Sequence, residues 1–120
     1  MLSLKKLFVK IRDRYVIKQV HCAKLPDFTC SPIRRYQVVF SGRVQKVGFR
    51  LEVCELAKRL NLTGFCRNLE NGDVLAELQG SENKIIYLIA FMESLVRIKV
   101  TNRTIKIMEV ITGETGFTAS

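Results

Sequence analysis

The stretch "SGRVQKVGFR" (Ser41–Arg50) concentrates residue types that can hold an anion. Gly42 and Gly48 bracket an apolar–polar run that contains Lys46 and ends in Arg50. It lies between an alternating run, "YQVVF", and a segment with helical spacing, "LEVCELAKRL". A strand-to-helix junction presents unpaired backbone N–H groups beside the positive end of a helix dipole. Glycine lets such a loop curl until successive N–H groups converge on one anion. Arginine adds a planar, permanently charged fork that matches phosphate oxygens. The stretch therefore reads as a phosphate or oxyanion cradle made of Gln45, Lys46, Val47, Gly48, Phe49 and Arg50. It is not a Walker A loop, since the closing GK[ST] is missing, and its glycine spacing is not that of a dinucleotide fingerprint. On spacing alone, a plain turn followed by a solvated Arg50 remains the simpler reading.

The elements that must position this loop follow from periodicity. Tyr36, Val38 and Phe40 alternate with Gln37, Val39 and Ser41, which predicts a strand. Phe49, Val53, Leu56 and Leu60 recur at helical spacing, with Glu52, Glu55, Lys58 and Arg59 expected outside. Asn71-Gly72 between two strand-like runs predicts an antiparallel hairpin of Thr63–Leu69 with Asp73–Gln79 through a type I′ turn. Ser81 is the expected N-cap of a second helix, whose stripe is Ile85, Leu88, Ile89 and Met92. "TNRTIKIMEVI" predicts a fourth strand, and "FTAS" is a candidate short fifth. The order β-α-β-β-α-β predicts an α+β ferredoxin-like sandwich, an antiparallel sheet with two helices on one face.

Charge divides the chain. The +9 net charge sits mainly in residues 1–35, where nine Lys/Arg face Asp13 and Asp27; the remainder is nearly balanced. Residues 1–34 are therefore expected to be a basic amphipathic extension and linker, and residues 35–120 the domain. Leu4, Leu7, Phe8, Ile11 and Tyr15 share one helical face of the extension. Three readings stand for residues 1–20: a helix docked on the domain or another chain, a flexible or membrane-surface arm, or an organelle-targeting segment. Charges interrupt every apolar run, which excludes a membrane span and a secretory signal. Cys22, Cys30, Cys54 and Cys66 form no CxxC pair, and His21, Cys22 and Cys30 match no closed zinc pattern. Free thiols in a reducing, cytoplasmic setting are expected.

"GRVQKVGFR" resembles the acylphosphatase signature G-x-V-Q-G-V-G/x-F-R, and "LTGFCRNLENGDV" resembles that family's downstream element G-x-V-x-N-x-x-D/N-G-x-V. Both stand in family order on the expected strand–helix–strand frame. The resemblance implies hydrolysis of acyl phosphates to carboxylate and phosphate, without metal or cofactor. Arg50 would bind the phosphoryl group with loop amides, and Asn68 would position the attacking water. A small-molecule acyl phosphate is then the expected partner, with no nucleic acid, a monomeric chain, and membrane-surface or protein contact only through residues 1–20. Lys46 stands where the family usually has glycine, and the extension has no counterpart in the minimal domain. The rival reading is a non-catalytic anion-binding or interaction module tethered by its basic N-terminal helix.

Overall fold

The computed structural model describes residues 3–45, 48–95 and 98–120. Lys46 and Val47, two of the six expected cradle residues, lie outside that set. The chain forms α1 (Leu4–Cys22), β1 (Ile33–Arg43), α2 (Phe49–Arg59), β2 (Thr63–Asn68), β3 (Val74–Ser81), α3 (Glu82–Ser94), β4 (Lys99–Met108) and β5 (Phe117–Ala119). From β1 onward this is the expected order, with "FTAS" supplying the fifth strand.

The strands form one sheet in the order β4-β1-β3-β2-β5. Four are antiparallel, but β5 runs parallel to β2, so the complete sheet is mixed. Pairings such as Val38 with Ala76 and Cys66 with Ala76 put small and apolar side chains on one face. There they are buried with Leu56 of α2 and Leu88 of α3 in one core. Because β4 and β5 are opposite edges, their connection must cross the other face. Gln79 fastens that crossing by exchanging hydrogen bonds with the Ile111 backbone, at 2.9 and 2.8 Å. Arg35, only 2 % exposed, binds Glu77 at 2.9 Å and Glu114 at 2.7 Å.

Several local expectations change. The hairpin turn is not type I′, which needs φ > 0 at both central residues. Only Gly72 is left-handed (φ 96°). Gly72 N–H bonds Leu69 C=O, and Asn71 Oδ1 accepts from Asp73 N–H instead. Ser81 makes no side-chain cap on α3; Ser31, from the linker, accepts from Asn83 N–H at 3.1 Å. The linker is thus packed, and Phe28 meets Tyr87 edge-on at 5.5 Å. Asn61, left-handed at φ 57°, ends α2 with Leu62 N–H bonded to Ala57 C=O and its own N–H to Lys58 C=O.

The extension is a helix that packs on α2, but not by the apolar face read from its spacing. Leu4, Leu7, Phe8, Ile11 and Tyr15 are all exposed, Leu4 by 67 %. Val16 and Val20 are the buried residues. The apolar stripe lies mostly in the first half of α1, whereas the second half is what packs on α2. Glu52, expected outside, is buried. Gly48, Glu52, Glu55 and Arg59 lie at i, i+4, i+7 and i+11, and this polar stripe is the side of α2 that faces α1. Arg59 donates to the Val20 and Ala23 carbonyls at the end of α1, and His21 approaches Glu55 at 3.5 Å. No described helix is long and apolar enough to cross a membrane.

Candidate active site

Strand direction sets the place of the site. β1, β2 and β5 point the same way, so the loop after β1, the end of β2 and the end of β5 meet at one end of the sheet. The loop after β1 carries the cradle, β2 ends in Asn68, and Ser120 follows β5. A β-bulge at Ser41/Gly42 bends β1 just before the cradle. A side chain at Gly42 would meet Lys99 O at 2.2 Å, so only glycine fits there.

Gln45 spans the gap left by β3. Its Nε2 donates to Leu69 O at 2.8 Å and Asp73 O at 2.9 Å, fastening the cradle to the β2–β3 turn. Its side chain thus serves as a strap between the two sequence motifs. Gly48 begins α2 at φ 81°, a conformation that disfavours side chains. Phe49 drives its ring into the core against Phe40, 4.9 Å between centroids, which leaves its backbone at the helix start. Arg50 is half-buried and donates to the Ser120 carbonyl oxygen.

Arg50 and Asn68 line one cavity of about 300 Å³. Gly48 and Phe49 line it too, and so do Arg12 and Asp13 of α1. Sequence reasoning did not reach those last two. No sequence signal placed them there, because periodicity separates the faces of α2 without saying what lies against them. Arg12 donates to Asp13 Oδ1 from Nη2 at 3.0 Å and from Nε at 3.2 Å. Cys66 lies under the site; burial pushes its thiol up to about 12, against the lowering pull of the Arg50 charge. Such a thiol is no nucleophile at neutral pH. Among the described residues no group of three or more His, Cys, Asp or Glu is placed to hold a metal ion.

The acylphosphatase family model matches residues 36–118. The chain belongs to the acylphosphatase family. An acylphosphatase of Clostridium beijerinckii is 39% identical over 84 residues, covering 69% of this chain and 93% of that protein. The crystal structure of acylphosphatase from Bacillus subtilis superposes with a TM-score of 0.68 at 27% identity, over 74% of this chain and 99% of that one. An acylphosphatase structure from Coxiella burnetii gives 0.67 at 29% identity, over 73% and 93%. Membership brings the enzyme class with it, a hydrolase acting on acyl phosphates. The acylphosphatase match begins after α1, so the α1 wall of the cavity lies outside it.

Proposed function

We propose that the chain hydrolyses acyl phosphates by direct attack of water, with Arg50 and the backbone N–H groups at the start of α2 holding the phosphoryl group and Asn68 orienting the water. One observation carries this reading: Arg50 and Asn68, on different elements, line the same cavity beside Gly48. An acyl phosphate is a mixed anhydride with a carboxylate leaving group. The water oxygen forms a bond to phosphorus while the phosphorus–acyl oxygen bond breaks. The carboxylate departs with the electron pair, and the water proton passes to the phosphate product or to solvent. Such a transfer depends chiefly on positioning and on charge stabilisation of the phosphoryl oxygens. Arg50 supplies the fork, the start of α2 supplies aligned dipoles, and Asn68 can direct water without taking a proton. One chain carries all these groups, and four free cysteines support a reducing, cytoplasmic setting.

The test is turnover of a simple acyl phosphate. Arg50→Ala should lower kcat/KM about 10²-fold or more while the chain stays folded, and Arg50→Lys should not restore it, since a point charge lacks the fork. Asn68→Ala should lower kcat while competitive inhibition by inorganic phosphate survives. A near-normal rate in Arg50→Ala overturns the assignment of Arg50. Loss of phosphate inhibition with unchanged kcat in Asn68→Ala overturns the water role.

A further inference from the structure

The cavity wall contributed by α1 raises a question that the family chemistry leaves open. Arg12 and Asp13 share the cavity with Arg50 and Asn68, although they precede the matched domain. The placement of Arg12 is not loose. A side-chain carbon built on Gly48 would lie 3.2 Å from Arg12 Nε and 3.2 Å from Val16 Cγ2. Arg12 therefore lies against the first turn of α2, where the cradle's amides are expected to receive an anion. Val16 and Val20 bury the following turns, and Arg59 holds the end of the helix. Rotation or sliding of α1 would have to break those contacts.

From this geometry we infer that Arg12 is a second phosphoryl-binding cation of the site, and that Asp13 competes with the phosphoryl group for its donors. The inference rests on the acyl phosphate reading above and adds to it a residue from outside the family domain. Three features combine. Arg12 lines the cavity. It lies against the glycine that begins the anion-binding helix. A carboxylate on the neighbouring residue occupies its Nη2 and Nε donors, at 3.0 and 3.2 Å. Asp13 also lines the cavity, so an incoming phosphate would compete with its carboxylate for the same donors. A dianion offers more oxygens and more charge than one carboxylate, and both side chains are partly open to solvent, 30 % and 38 % exposed, so the exchange is accessible.

The consequence has opposite signs at adjacent residues. Arg12→Gln keeps much of the side-chain length but removes the charge. It should weaken competitive inhibition by inorganic phosphate about tenfold and raise KM similarly, with kcat changed less, because the contact is already made in the bound ground state. Asp13→Asn removes the competitor and should tighten phosphate inhibition several-fold. In the double variant the gain from Asp13→Asn should largely vanish, since the carboxylate acts through Arg12. A purely packing role for Arg12 gives no coupling, so that any gain from removing the Asp13 charge is the same with and without Arg12. The experiment uses the full chain, with inorganic phosphate as the probe, and thermal unfolding of every variant as a check on folding. Unchanged phosphate inhibition in a folded Arg12→Gln, or a gain from Asp13→Asn that persists in the double variant, overturns the inference. If the unaltered chain neither binds phosphate nor turns over an acyl phosphate, the reading of the whole site fails instead, and the two failures are told apart by that single control.

Discussion

At Gly48 two requirements coincide. Its φ of 81° begins α2 where the cradle turns into helix, and its missing side chain leaves room for Arg12 and Val16. Alanine there meets both at once. The left-handed backbone costs about 1 kcal/mol, and the added methyl presses on α1. Gly48→Ala should therefore lower stability by roughly 1–2 kcal/mol and also weaken phosphate binding, as α1 is lifted from the site. Denaturant unfolding and phosphate inhibition measured on one sample check this; loss of one without the other would separate the two requirements. Cys66 shows the contrary case, a reactive residue type made inert. It lies near a cation that favours its thiolate, yet burial holds its thiol up at about 12.

Among the elements, α2 is covered on two sides, and this explains what the sequence made legible. The core stripe of Phe49, Val53, Leu56 and Leu60 is plain from spacing, as are the main strands, whereas the two motifs are legible through their resemblance to the family signature and not through spacing. The polar stripe of Gly48, Glu52, Glu55 and Arg59 gave no sign of a cover, because periodicity separates faces without saying what lies against them. The Gln45 strap and the Ser31 cap were equally hidden, since each joins residues distant in sequence. So was the loop over the outer face. Burial pushes the Glu114 carboxyl up, but the hydrogen bond and charge of Arg35 outweigh this and hold it below its ordinary 4.5. A lowered acid adds stability above its unfolded pKa and loses it as pH falls through the folded value. Arg35→Leu should cost about 3 kcal/mol near neutrality, because it strands two carboxylates. Its deficit should shrink as pH drops below about 4.5, where Glu114 takes up a proton whether or not Arg35 is present. Thermal unfolding of both chains across pH 3–7 tests the sign; a deficit that grows on acidification is incompatible with it.

On the scale of the whole molecule, α1 is half anchored and half bare. Its second half seals the seam with α2, while its first half carries Leu4, Leu7 and Phe8 in the open beside Lys5, Lys6 and Lys10. The acylphosphatase family match begins at residue 36, after α1. Removing residues 1–23 should leave cooperative unfolding in place and weaken phosphate inhibition as Arg12→Gln does. Loss of cooperative unfolding would make α1 part of the core instead. The seam between α1 and α2 is then a binding equilibrium within one chain, and residues 24–32 act as its tether. A short tether holds its two ends at an effective concentration in the millimolar range. A peptide of residues 3–23 added to a chain of residues 24–120 should accordingly restore phosphate inhibition in a saturable way, and should match the occupancy of the tethered helix only as its own concentration approaches that range. The affinity of the site for its anion would then follow mass action in the helix, as though the enzyme carried its own cofactor on a leash.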